Sequence, residues 1–395
     1  MSRTVLVTDG EQRSALAVVR SLGRAGRRVL VASALPHSLA GGSRYAAREL
    51  LVPDPLADPV RFTAAVAEVV RLEQVSAVLP VAEPSVLALL ERREQLAPAR
   101  LPYGELEDFR RIADKALLLQ LAPELGMQVP GQAELTAPGA LGRSALEALA
   151  FPIVLKPARS VGGAGESRGK FGVSHARDVH ELERRIAAYP AAAYPLLLQQ
   201  RVVGPGIGIF LLVWEGRTVA SFAHRRLREK PPSGGVSVYR ESIPADPALV
   251  ARSRALLDRF RWQGVAMIEY KVDAKTGTPY LMEINGRFWG SLQLAVDAGV
   301  DFPRLLLELM SGGIPAPVTG YRAGVRSRWW WGDVDHLLAR LTRSDARLAL
   351  PPGSPSRIAA VLQFLRLWWP GDHNEVFRWS DPWPAVRETV AWFRR

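Results

Sequence analysis

Residues 264–285, GVAMIEYKVDAKTGTPYLMEIN, constrain this chain more than any other stretch. Two strand-like runs, GVAMIEYKVD and PYLMEIN, flank the turn-rich AKTGT, the pattern of an antiparallel hairpin. With the turn centred on Thr276, residues whose numbers sum to 552 face each other, so Glu269 opposes Glu283. Directly opposed side chains lie roughly 5 Å apart, and like charges there repel. Period-two alternation puts Asn285 on the same face as Glu283, about 7 Å along the strand. Two acids and an amide converge, and Arg287 follows. Such a group is unfavourable unless a cation neutralises it or one acid is protonated. Hard oxygen donors with no His or Cys beside them point to magnesium or manganese, ions that keep waters and take phosphates as further ligands. Arg287 is then placed to grip a phosphate bidentately. A solvated face on which both acids pair with arginines accounts for the same spacing.

Residue usage sharpens the choice of candidates. The chain has only two asparagines, Asn285 and Asn374, and only six of its 51 basic residues are lysines: Lys115, Lys156, Lys170, Lys230, Lys271 and Lys275. At 395 residues with 48% hydrophobic content it can bury two or three cores. The formal charge of +12 suits a protein handling phosphates or acidic metabolites. Its arginines are scattered instead of gathered in a run, which favours small anionic ligands over nucleic acid. The absence of cysteine excludes disulfides, thiolate catalysis and Cys-ligated zinc. No apolar stretch of signal-peptide or membrane-spanning length is present, so the expectation is a cytoplasmic protein without a membrane span.

Read from its start, the chain opens with strand, helix, strand over residues 5–32, a unit that calls for a right-handed crossover and a parallel sheet. No G-x-G-x-x-G follows the first strand, which argues against dinucleotide binding. A further strand and helix in VSAVLPVAEPSVLALLERREQL carry this Rossmann-like domain to residue 105. FRRIADKALLLQLAPELGMQVPG reads as a helical pair ended by Gly126 and Pro130. A strand over residues 152–156 then places Lys156 before a loop with Gly162, Gly163 and Gly165, with a second strand over 170–173. The lysine precedes the glycines, so this is no Walker A motif; it offers a lysine at a strand end and backbone N–H groups able to close over phosphates. A surface lysine beside a flexible hairpin fits the same residues. Further on, strands hinge at Glu215-Gly216, and HRRLREKPPSGG reads as a basic loop. The chain is thus α/β in front and α+β behind.

A lysine on a helix, a lysine on a strand before a glycine loop, an acid on one strand and Glu-x-Asn-x-Arg on the next together resemble the ATP-grasp superfamily. The resemblance runs to about residue 312 and is closest to stand-alone members similar to one half of the carbamoyl-phosphate synthase large subunit and to amino-acid ligases. It implies a pre-ATP-grasp domain over 1–105, an ATP-grasp domain over 106–312 with a lid at about 150–200, and a remainder over 313–395. By the same resemblance, Lys115 and Lys156 hold ATP phosphates, with Gly162 and Gly163 in the lid loop. The hinge LLQQRVVG, with Gln199, Gln200, Arg201 and Val202, receives adenine; Gln200 stands where an acid is common. Glu269, Glu283 and Asn285 would ligate magnesium (or manganese), with Arg287 on the transferred phosphate. Arg225, Arg226 and Lys230 are candidates for the acyl substrate or the γ-phosphate.

The implied chemistry is ATP-dependent activation of a small carboxylic acid, such as an amino acid, as an acylphosphate that an amine attacks. Bicarbonate activation, as in biotin carboxylases or carbamoyl phosphate synthesis, and a non-catalytic nucleotide-binding grasp protein are the alternatives. Residues 313–395 hold eight of the eleven tryptophans and read as a small, mainly helical appendage. Those tryptophans suit helix packing, a homodimer contact or a membrane-surface face.

Overall fold

The computed structural model describes residues 4–140, 142, 150–163, 168–350, 353–366 and 371–394. Gly165 of the glycine loop and Trp368 and Trp369 of the carboxyl-terminal region lie outside them. The first domain is a parallel sheet of four strands in the order β3-β2-β1-β4: β1 Thr4–Val7, β2 Arg28–Ser33, β3 Ala46–Leu51 and β4 Ala77–Leu79. Short β-rich apolar runs alternate with helices Arg13–Arg24 and Pro59–Leu72, which cover its two faces. The Arg13–Arg24 helix buries Leu16, Val19 and Leu22 at helical spacing, and Asp58 caps the other through its bond from the Arg61 N–H at 2.9 Å.

The expected helical pair is present as Leu106–Ala113 and Lys115–Leu121. A second sheet follows, with β5 Gln132–Leu135, β6 Ile153–Pro157, β9 Ser174–Ala176 and β10 Leu196–Gln200 in the order β5-β10-β6-β9. Beside it β7 Val161–Gly162 and β8 Gly169–Lys170 form a two-stranded ribbon.

The third and largest sheet has seven strands in the order β15-β14-β11-β12-β13-β16-β17. These are β11 Gly206–Trp214, β12 Arg217–Lys230, β13 Val236–Ser242, β14 Gly264–Val272, β15 Pro279–Asn285, β16 Arg326–Arg328 and β17 Asp372–Asn374. β11 and β12 join through Glu215 and Gly216, both with positive φ, 47° and 73°, which is the turn geometry that matches strand twist. One face of this sheet packs on the Arg13–Arg24, Leu292–Ala298 and Phe302–Met310 helices, and the other on the Leu106–Ala113, Lys115–Leu121 and Pro247–Arg259 helices.

Two sequence expectations change. HRRLREK is not a loop: β12 runs unbroken to Lys230, because β13 pairs with it as far as Lys230↔Val236. The region after residue 313 is mainly helical, with helices Trp330–Thr342, Arg357–Leu365 and Trp383–Phe393, and it also adds β16 and β17 to the large sheet. It is tied to the first domain as well, through the buried Arg20–Asp381 ion pair at 2.8 Å. No described helix is long and apolar enough to cross a membrane.

Candidate active site

The hairpin that opens the sequence argument supplies the centre of the site. Near the turn the strands pair as Val272↔Pro279, Lys271↔Tyr280 and Tyr270↔Leu281, and beyond a bulge they pair as Glu269↔Glu283, Ile268↔Ile284 and Met267↔Asn285. Met282 is the extra residue at that bulge. In an unbulged ladder Glu269 would face Met282, and Glu283 would lie on the opposite face of the sheet, because a one-residue slip inverts every side chain. The turn itself is fixed by Asp273, whose Oδ1 accepts from the N–H groups of Lys275 and Thr276, each at 2.9 Å.

Across the sheet the same row continues. Glu269 pairs with Gly208 of β11, and Gly208 with His224 of β12. A Cβ on Gly208 would stand 2.6 Å from the Phe210 ring and 3.1 Å from His224 Nε2, so glycine is what lets the imidazole lie over the sheet there.

Lys115 begins its helix because Asp114 caps it, accepting from the Ala116 and Leu117 N–H groups at 3.0 and 3.2 Å. Its Nζ donates to Ser160 Oγ at 3.0 Å and lies 3.7 Å from Glu283 Oε2. Lys156, on β6, reaches the carbonyl of the bulge residue Met282 at 3.5 Å. Asn285 Nδ2 donates to Glu283 Oε1 at 3.0 Å, and Arg287 Nη2 donates to Asn285 Oδ1 at 3.0 Å. Arg226 ion-pairs with Glu269 and donates to Glu229 at 2.9 Å, and Lys271 lies 3.3 Å from Glu229.

The electrostatics split the two acids. Burial raises the Glu283 carboxyl, but Lys115, Lys156 and the Asn285 amide outweigh it and hold the group down at about 2. Glu269 goes the other way, raised by burial and by Glu283 against the pull of Arg226. Burial pushes Lys156 down to about 8, opposed by Glu283. Like charges side by side with unequal tendencies to ionise are a place for a cation.

Glu269, Glu283, Asn285, Arg287, Lys156 and Arg226 line one cleft of about 880 Å³. Gln199, Gln200, Arg201 and Val202 line it too. Gln199 is buried and donates to Gln132 Oε1 at 2.6 Å; Gln200 is exposed, and its N–H is taken by the Gly131 carbonyl at 2.8 Å. Lys115 stands behind Glu283, lining a small adjoining space with Ser160 and Arg287.

Four further predicted residues are not brought to the cleft. A Cβ on Gly162 would lie 2.6 Å from the Ala192 carbonyl oxygen, so that glycine serves close packing there, and neither it nor Gly163 lines the cleft. Lys230 turns away to an ion pair with Asp335 and lies 5.4 Å over the Trp329 ring. Arg225, on the opposite face from Arg226, pairs with Glu241 at 2.7 Å. Sequence reasoning also missed cleft residues: Lys271, Glu229, Arg13, His224 and His336. Scarcity of lysine was a usable signal for Lys271; the others carried none.

The donor set fits a hard divalent cation. Two opposed carboxylates and an amide oxygen are available, while among the described residues no group of three or more His, Cys, Asp or Glu side chains is arranged for a metal. An ion there would depend on water and phosphate for its remaining ligands, as magnesium does.

Residues 192–330 match the family model described as ATP-grasp in the biosynthetic pathway with Ter operon. No curated protein matches the chain. Among solved structures, the chain is similar to the L-amino acid ligase from Bacillus licheniformis, with 19% identity and a TM-score of 0.60 over 77% of this chain and 73% of that one. It is also similar to the ADP complex of N5-carboxyaminoimidazole ribonucleotide synthetase, with 18% identity and a TM-score of 0.64 over 86% of this chain and 85% of that one. A third is the biotin carboxylase domain dimer of the 2-oxoglutarate carboxylase from Hydrogenobacter thermophilus, in complex with MgADP, ADP and bicarbonate, with 15% identity and a TM-score of 0.63 over 82% of this chain and 73% of that one. At these identities the likeness establishes the fold. Together with the family match over residues 192–330, it gives the chain the ATP-grasp fold, which it shares with these ligases and carboxylases.

Proposed function

We propose that the protein is an ATP-dependent carboxylate–amine ligase. The observation that carries this reading is the bulged pairing of Glu269 with Glu283, which sets two acids and Asn285 in one cleft with Lys156, Arg287 and the segment Gln199–Val202. In this reading the hinge receives adenine, and Lys115 and Lys156 bind the phosphates. Glu269, Glu283 and Asn285 would hold magnesium or manganese, which supplies charge neutralisation between the β- and γ-phosphates. Arg226, paired with Glu269 and Glu229, lines the same cleft and would face the phosphate or the acid.

The acid's carboxylate oxygen attacks the γ-phosphorus and ADP leaves, giving an acylphosphate. Arg287 steadies the transferred phosphoryl group by a bidentate contact. An amine nitrogen then attacks the acyl carbon, the C–N bond forms, and phosphate departs with the C–O electron pair. The chain's part is to position these groups and keep water from the acylphosphate. No side-chain nucleophile is required.

The test is ADP release from ATP and magnesium across a panel of acids and amines, bicarbonate included. Stimulation by a carboxylic acid with an amine supports the ligase. Stimulation by bicarbonate alone would move the assignment to a bicarbonate-activating enzyme, and a flat response across the panel would leave only nucleotide binding.

A further inference from the structure

The end of the cleft next to Arg287 carries groups that nucleotide chemistry does not use. Arg13, His224, Trp289, Gly290 and Ser291 line it. Two of them hold polar atoms that are buried and have no hydrogen-bond partner among the described residues: Nε1 of Trp289 and Nε2 of His224. These residues are 2% and 1% exposed. An indole N–H can only donate, so Trp289 calls for an acceptor.

The charges at this end do not balance. Arg13 and Arg240 both ion-pair with the same oxygen of Glu375, and the three side chains are 11%, 0% and 2% exposed. Among the described residues two guanidiniums share one carboxylate, which leaves one positive charge in surplus there. Burying such a charge is costly unless an anion completes it. Gly290 keeps the place open: a Cβ there would stand 3.1 Å from Arg13 Nη2.

We propose that this end of the cleft binds the distal carboxylate of a diacid, whose other carboxylate is the one activated beside Arg287. This specificity subsite rests on the ligase reading. The donors and the surplus positive charge favour an anion, whereas an ammonium group would meet two guanidiniums there. His224 stands two strands from Glu269, about 10 Å at the ordinary strand spacing, a span that suits a short diacid of the succinate or glutarate kind.

Calorimetric titration of the full chain with succinate, glutarate, butyrate and inorganic phosphate, paired with ADP release driven by the same acids, tests the subsite. A diacid should bind at least about tenfold more tightly than butyrate, the size expected of one charge-assisted contact. Arg13→Met should erase that preference. Trp289→Phe, which keeps the ring and removes only the N–H, should weaken the diacid severalfold and leave butyrate unaltered. Equal binding of butyrate and the diacids overturns the proposal, and so does tighter binding of phosphate than of either diacid. If Arg13→Met does not fold, an undiminished diacid preference in Trp289→Phe is the contradicting result. Diacid binding that Trp289→Phe weakens, without acid-stimulated ADP release, upholds the subsite and defeats the ligase reading. ADP release driven equally by mono- and diacids does the reverse.

Discussion

The hairpins β14–β15 and β7–β8 both carry residues that the sequence marks out, and they differ in what fixes them. β14 and β15 are nine and seven residues long and lie inside a seven-stranded sheet, whereas β7 and β8 have two residues each and pair only with one another. In the long hairpin, alternation and register decide where each acid points. In the short one nothing but the glycines themselves spoke, and Gly162 serves close packing against Ala192. Cross-strand pairing of unlike chemistry is therefore a stronger pointer to a site than a glycine-rich turn.

The largest effect should come from the register of the long hairpin. Glu283→Gln should lower acid-stimulated ADP release by at least about 100-fold with the circular dichroism spectrum retained, the scale of losing one preorganised electrostatic group from a reacting site. A folded Glu283→Gln variant that turns over normally would break the comparison.

Next is Lys156→Met, expected to weaken ATP binding by about 10- to 100-fold, the range for a lost charged hydrogen bond. Because burial holds this lysine at about 8, its charge is present below that pH and lost above it. ATP affinity measured from pH 7 to 9.5 should therefore fall above pH 8, and Lys156→Arg should flatten the profile.

For the short hairpin, Gly162→Ala should destabilise the lid by about 1–3 kcal/mol through its contact with the Ala192 carbonyl, read as faster amide exchange in β6 and β10. Its effect on ATP affinity should be smaller than that of Lys156→Met; the opposite order would return the glycine loop to the phosphates.

Smaller still is a pH effect on stability from His224. Burial holds its imidazole well below the ordinary value of 6.5, with Arg226 and Arg240 acting in the same direction, so the folded state stays neutral where the unfolded chain is protonated. That contribution is present above about pH 6.5 and is lost as the pH falls, by at most about 1.4 kcal/mol per unit. Urea unfolding from pH 7.5 to 5.5 should show it, with a shallower slope in His224→Gln. Last, Lys230→Met should change ADP release by less than about threefold, since its ion pair with Asp335 lies outside the cleft.

The order of strands and helices was legible because each has a clear period, and the pairing of Glu269 with Glu283 followed from the turn. The physical route differs in one respect. The paired numbers nearest the turn sum to 551, and the bulge at Met282 restores 552 at the acids. Such a bulge leaves no mark in an alternating pattern. β16 and β17 were not legible either, since three-residue strands at a sheet edge are defined by their partner. Arg13 could not be found from local sequence: it is one arginine among many, and its carboxylate partner Glu375 is 362 residues away along the chain. Lys230 misled because rarity marks a residue without saying which way it faces.

The central claim is that Glu269 and Glu283 jointly hold a divalent cation with ATP. Titration of the protein with manganese in the presence of ATP, followed by the paramagnetic relaxation of water protons, measures this directly. The account predicts a manganese–ATP complex on the native chain, weakened about 100-fold or more in the Glu269→Gln, Glu283→Gln double variant while the fold persists. Unchanged manganese–ATP binding in that folded variant would contradict it.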